Sequence, residues 1–150
     1  MKKWYLLIFI SLVGSNLEAQ GPIRWKYNVQ KKEAQTYEVH LTALLEDGWH
    51  AYSQTQPKTA VPMPTRIAFN KNPLITLIGK VKEYGNMEMH RNPTLNTEDY
   101  RYGKKVDFVQ VLRVKNNVKT NLSGTIVYMV CTDEQCLPPL TIKFNLSLRP

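Results

Sequence analysis

Apolar residues in this chain recur at every second position and scarcely anywhere at the spacing of a helix. From Thr36 to Leu45 the residues Tyr37, Val39, Leu41, Ala43 and Leu45 share one face, the two-residue period of a half-buried strand. The turn signal Glu46-Asp47-Gly48 then leads into Trp49-His50-Ala51-Tyr52, and these two runs are expected to form a hairpin. Gln54 to Pro64 carries Pro57, Pro62 and Pro64; proline cannot donate to a sheet ladder, so this stretch is expected as loop or edge. Strands are expected at Thr65 to Phe69 and Leu74 to Ile78, followed by a polar stretch, Gly79 to Thr97. Along Val106 to Val114 both faces carry apolar residues, which predicts a central strand. The chain closes with a β-branched and aromatic run into Cys131, four polar residues, Cys136, Pro138-Pro139, and then Leu140, Ile142, Phe144, Leu146 and Leu148 in alternation. That pattern predicts a β-hairpin with a cysteine at each shoulder. Seven or eight short strands without a repeat or a low-complexity tract predict an all-β fold, a two-sheet β-sandwich in one domain.

The N-terminus changes the setting. Lys2 and Lys3 precede an apolar stretch from Trp4 to Val13, and small and polar residues end at Leu17-Glu18-Ala19. This reads as a signal peptide, residues 1–19, cleaved before Gln20. The mature domain is then 20–150, exported, with no apolar run near the length of about 20 residues that a membrane span needs. The whole chain carries a formal charge of +8, and the mature part stays basic. Its basic residues are scattered and an exported protein meets little nucleic acid, so the charge is read as a solvated surface and no nucleic-acid partner is expected.

The candidate chemistry lies in Cys131 and Cys136, the only cysteines. A bond closing so short a loop removes unfolded-state entropy worth only about 2 kcal/mol, against about 4.7 for a loop of 100 residues. Stability alone would favour a bond between distant strands. Small extracellular domains nevertheless contain hairpin clips, so the spacing leaves open both a redox pair and a structural staple. Asp133 and Glu134 lie between the cysteines, where negative charge disfavours thiolate and raises the thiol pKa values. His50 and Tyr52 sit two apart on one strand and so share a face; as ordinary strand residues they would need no further role. His40, His50 and His90 show no paired spacing that would complete a zinc site with two cysteines, and neither a cysteine–histidine hydrolase signature nor a glycine-rich phosphate loop is present. No metal or cofactor is expected.

The stretch Tyr128-Met129-Val130-Cys131-Thr132-Asp133-Glu134-Gln135-Cys136-Leu137-Pro138-Pro139 resembles the cysteine hairpin of the N-terminal periplasmic domain of the thiol:disulfide interchange protein DsbD. Asp47-Gly48-Trp49-His50-Ala51-Tyr52-Ser53-Gln54 is similar to the family's strand beside the active site, and Lys82-Glu83-Tyr84-Gly85 stands where the family has its cap loop. The resemblance covers nearly all of the mature chain. It implies an immunoglobulin-like sandwich whose cysteines, Cys131 and Cys136, relay electrons as a component of a protein-disulfide reductase. Cys136 would bond to the partner and Cys131 resolve. Tyr84, with Glu83, would cap the disulfide, and His50 and Tyr52 would face it, His50 stabilising a thiolate or moving a proton. The implied partners are thioredoxin-like exported proteins and a membrane thiol-electron transporter, the compartment is the periplasm, and the pathway is disulfide isomerisation, cytochrome c biogenesis or peroxide defence. The chain departs from the family in a cysteine loop one residue shorter, a cap with one aromatic residue instead of two, and His50 in place of a tyrosine. It ends with the domain, so the electron source is expected to be another polypeptide, and a monomer is expected. The competing class is a non-enzymatic immunoglobulin-like binding or adaptor module with a structural disulfide.

Overall fold

The computed structural model describes residues 21–150; the expected signal peptide 1–19 and its cleavage site before Gln20 lie outside them. Nine strands occur in chain order: β1 Ile23–Lys31, β2 Thr36–Leu45, β3 His50–Tyr52, β4 Arg66–Phe69, β5 Ile75–Asn92, β6 Thr97–Val114, β7 Thr120–Tyr128, β8 Val130–Cys131 and β9 Leu140–Leu148. A single 3₁₀ turn, Lys115–Asn117, separates β6 from β7. The expected all-β, two-sheet sandwich is what forms. One sheet runs β1-β2-β6-β3-β8 with β5 also on β6, and the other runs β4-β7-β9.

Its core is the set of inward positions that the alternation marks. Val39, Leu41 and Ala43 of β2 and Val106, Phe108 and Leu112 of β6 are fully buried and meet Leu122 and Ile126 of β7 and Leu148 of β9. Burying each of the larger side chains is worth about 1.5–3 kcal/mol. Trp25 of β1 closes one end, its ring 6.0 Å from that of Phe108 and 5.4 Å from that of Tyr128. The strand expected to be central is so: β6 pairs with β2, β3 and β5.

Three arrangements differ from expectation. First, β2 and β3 form no hairpin. Leu44 pairs with Lys105 and His50 with Gly103, and β5 flanks β6 along both stretches, so β2 and β3 lie end to end on the other edge of β6. The turn between them, closed by Trp49 N donating to Glu46 O at 3.1 Å, uses Gly48 at φ 82°, a conformation that glycine adopts without steric cost. It shifts the chain along β6 and does not reverse it. Second, the polar stretch after Ile78 is strand: β5 continues to Asn92 through two irregularities, paired to β6. The two make a long arm in which the outer part of β5 is exposed along most of its length and carries few apolar residues. Third, β1 is not among the expected strands, although Ile23, Trp25, Tyr27 and Val29 alternate cleanly.

Candidate active site

β7 and β9 pair as the expected hairpin, from Thr120 with Leu148 to Tyr128 with Leu140. The cysteines, however, leave that ladder. After Tyr128 the chain crosses to the other sheet, where Val130 pairs with Ala51 and Cys131 with His50. Leu137 N returns a hydrogen bond to Val130 O at 2.9 Å, and Pro138-Pro139, without N–H groups, carries the chain back to β9. The tip of the hairpin therefore bridges the two sheets.

Thr132–Gln135 fold into a tight turn. Thr132 N donates to Gln135 O at 2.8 Å, and the Thr132 hydroxyl accepts from the N–H groups of Glu134 and Gln135 at 3.2 and 3.1 Å, a local side-chain bond that threonine offers at turns. Cys131 and Cys136 face each other across this turn as a disulfide, their Cα atoms 4.0 Å apart. The two sulfur-bearing residues are not equivalent. Cys131 is 1% exposed, whereas Cys136 is on the surface.

The two-residue period of β3 sorts its side chains. Ala51 enters the core at 1% exposure, so His50 and Tyr52 take the opposite face together with Cys131, the cross-strand neighbour of His50. Directly opposed residues hold their Cβ atoms about 4.5–5.5 Å apart. On the other side of β3 the partner of His50 is Gly103, which leaves room for the imidazole: a Cβ there would lie 3.7 Å from His50 Cδ2. His50 Nδ1 is buried and has no hydrogen-bond partner among the described residues. Tyr52 is 3% exposed, and burial, with the nearby Asp99 carboxylate, pushes its hydroxyl up to about 12. At neutral pH it is an uncharged side chain on the same face of the sheet as Cys131.

The segment Lys82–Gly85 is not a loop. Tyr84 pairs with Asp107 and Gly85 with Val106, so the expected cap loop is a piece of β5. Gly85 does not use a positive φ angle; it is required for space, since a Cβ would meet Lys105 O at 3.0 Å and the Tyr102 ring at 3.1 Å. Tyr84 is 56% exposed, on a strand separated from β8 by β6 and β3. It lines, with Trp49, His50, Glu88 and Lys104, an open cleft of about 730 Å³. Glu83, implied by the resemblance to cap the disulfide with Tyr84, is tied down at both oxygens. It accepts from the Tyr102 hydroxyl at 2.7 Å and from Gln54 N at 2.6 Å. It thereby fastens the chain that leaves β3, and burial plus this carboxylate push the Tyr102 hydroxyl strongly up.

One participant is not visible in the sequence. Arg101 of β6 lies opposite Tyr52, and its Nη1 donates to Asp133 Oδ1 at 2.8 Å. The Arg101 guanidinium holds the Asp133 carboxyl below the usual carboxylate range. The expectation that both loop carboxylates oppose thiolate formation is thus corrected: Asp133 is compensated, while Glu134 has no ion pair among the described residues. Also among the described residues, no group of three or more His, Cys, Asp and Glu side chains is placed to hold a metal, and no helix is long and apolar enough to cross a membrane.

The family model described as the N-terminal part of the thiol:disulfide interchange protein DsbD matches residues 17–148. No curated protein matches the chain by sequence. Among solved structures, the N-terminal periplasmic domain of ScsB from Proteus mirabilis is similar over 89% of this chain at 15% identity, with a TM-score of 0.58; the chain spans 49% of that domain. The reduced DsbD N-terminal domain of Neisseria meningitidis is similar over 84% of this chain and 86% of its own, at 12% identity and a TM-score of 0.51. The complex between the DsbD and PilB N-terminal domains of the same organism is similar over 85% of this chain and 88% of the matched one, at 13% identity and a TM-score of 0.50. At such identities the likeness concerns the fold, and the fold is the expected immunoglobulin-like sandwich.

Proposed function

From the premise that this chain belongs to the family of DsbD N-terminal domains, we propose that it is an exported thiol–disulfide exchange domain. It passes electron pairs through Cys131 and Cys136 between thioredoxin-like proteins and a membrane thiol-electron transporter, in the periplasm. The observation that carries this reading is the unequal exposure of the two cysteines, Cys131 buried and Cys136 on the surface. A staple has no need of that asymmetry. An exchange pair uses it, because the exposed sulfur meets the partner while the buried one waits to resolve the intermediate.

The steps balance as follows. In the oxidised domain a partner thiolate attacks the Cys136 sulfur, the Cys131–Cys136 bond breaks, and Cys131 leaves as thiolate. The second partner thiolate then attacks the partner's own sulfur in the mixed disulfide. Cys136 leaves, the partner holds a new disulfide, and the domain is a dithiol with two electrons gained. Delivery is the reverse. The Cys136 thiolate attacks a downstream disulfide, whose far sulfur leaves, and Cys131 displaces the near one by attacking Cys136. Before that displacement Cys131 must lose its proton. His50, its cross-strand neighbour with an unpartnered Nδ1, is the group placed to take it, and Tyr52 shields the buried sulfur from water. Tyr84 and Glu83 act at a greater distance, Glu83 by fastening the end of β3 and Tyr84 as a wall of the cleft next to His50.

The test is the reduction potential of the disulfide, measured by equilibration with a thioredoxin-like protein of known potential. A relay bond should equilibrate, whereas a structural one should lie below about −300 mV and resist. A value in the resistant range would replace the relay by the adaptor module.

A further inference from the structure

Arg101 has no step in the exchange just described, yet it is the most enclosed cation beside the cysteines. Its side chain is 12% exposed, and a guanidinium does not lose its proton. From β6 it reaches across β3 to Asp133, which stands inside the loop that the disulfide closes. Glu88 Oε2 lies 3.9 Å from its Nε, which is buried without a hydrogen bond. As a device for stability this is poor: the Asp133 side chain is 71% exposed, ion pairs with such exposed partners are worth about 0–1 kcal/mol, and the unsatisfied Arg101 N–H works against that gain.

The surroundings give it a different use. The charged and titratable groups gathered here are Glu88 and His90 from β5, Asp99 and Lys104 from β6, His50 and Tyr52 from β3, and Asp133 and Glu134 from the turn. His90 Nδ1 and Asp99 Oδ2 are 3.1 Å apart. With the histidines neutral, the set holds four carboxylates, and Arg101 is the cation in it that is ion-paired to the cysteine turn. Asp133 follows Cys131 by two residues and precedes Cys136 by three. An uncompensated carboxylate so close raises a thiol pKa. Once the disulfide is reduced, the turn also loses its covalent closure, and the Arg101–Asp133 bond remains as a side-chain tie to the sheet beside the backbone pairing of Val130 and Cys131 with β3.

Resting on the relay reading, we propose that Arg101 is a positioning residue for the cysteine pair: it pins the Thr132–Gln135 turn through Asp133 and supplies the positive charge that favours thiolate when the disulfide opens. The pair shares its protons, so the quantity to follow is the lower apparent thiol pKa of the reduced protein.

Thiolate absorbance should be titrated in reduced parent, Arg101→Gln, Arg101→Lys, Asp133→Asn and the Arg101→Gln/Asp133→Asn double variant, with the rate of reaction with glutathione disulfide beside it. Arg101→Gln should raise the apparent pKa by about 0.5–1 unit, the size expected of a partly solvated charge near the thiols. The thiolate fraction at neutral pH then falls about three- to tenfold. A more basic thiolate is the better nucleophile, so the rate falls only about two- to threefold. Arg101→Lys should recover most of the pKa, and the double variant should return towards the parent, because the carboxylate that Arg101 offsets is gone. An unchanged pKa in Arg101→Gln, with or without a loss of stability, would overturn the proposal. Should that variant fail to fold, Asp133→Asn decides: it should hold the apparent pKa at or below that of the parent, and a rise would overturn the charge argument. Failure of the parent to exchange with any thioredoxin-like protein would remove the relay instead, and the thiol titration would still judge Arg101.

Discussion

The two halves of β6 are one strand doing two different jobs. From Val106 to Val114 it runs through the middle of the sandwich, where Val106, Phe108 and Leu112 are sealed against the second sheet. From Thr97 to Gly103 it lies in the arm, and there Asp99, Arg101 and Tyr102 meet His90, Asp133 and Glu83 in turn, while Gly103 pairs with His50. The strand is continuous, yet the covered half spends most of its side chains on apolar packing and the outer half spends Asp99, Arg101 and the Tyr102 hydroxyl on polar contacts around the cysteine site. Stability and reactivity are therefore separable along a single element.

The sharpest way to break this comparison is in the covered half. Leu112→Ala should cost about 2–5 kcal/mol, the usual loss for a fully buried leucine, read as a lower urea midpoint, while the reduction potential stays that of the parent. A shifted potential would show that the halves are coupled. The next effect is smaller. Reducing the disulfide should cost about 2 kcal/mol of closure entropy and leave the sandwich folded, because the cores of both sheets lie outside the loop; circular dichroism with and without reductant checks it, and unfolding on reduction would make the bond a staple.

Opposite Arg101 of the outer half, Tyr52 of β3 offers an alkaline test. Its folded pKa, raised from 10.0 to about 12 by burial, means that the unfolded chain ionises first. Its contribution to stability is complete below about pH 10 and is lost as pH rises towards 12. Tyr52→Phe should flatten that alkaline limb of a stability–pH profile; an unchanged limb would assign it to other tyrosines. The smallest effect is expected at Tyr84. On an exposed position of a paired strand, Tyr84→Ala should change stability by no more than about 0.5 kcal/mol and leave the rate of reduction by a small dithiol close to that of the parent. A clearly faster reduction would restore it as a cap over the bond.

The same division decides what can be read from the residues alone. Alternation is written by burial on one face, so β2, the second half of β6, β7 and β9 were legible, and with them the sandwich. The outer part of β5 was not, because a strand exposed along most of its length has little reason to alternate; Gly79 to Thr97 reads as loop for that reason, and Tyr84 with it. Cys131 and Cys136 were legible as a pair, and so were His50 and Tyr52 as one face, since both follow from spacing along the chain. The end-to-end placement of β2 and β3 was hidden, because Asp47-Gly48 signals a turn without saying whether the chain reverses. Arg101 was hidden for a different reason. It meets Asp133 across β3, from a strand distant in sequence, and nothing local to either residue records such a contact.

Everything proposed for the site depends on the unequal standing of its two cysteines, and one trapping experiment addresses it. Cys131→Ser and Cys136→Ser should each be mixed with a thioredoxin-like protein that lacks its own resolving cysteine, and the mixed disulfides counted on non-reducing gels. Cys131→Ser should trap the partner, because the exposed Cys136 is free to react and no resolving thiol remains. Cys136→Ser should trap little, because Cys131 is buried at 1% exposure. Equal trapping by both variants, or none by either, would contradict the account.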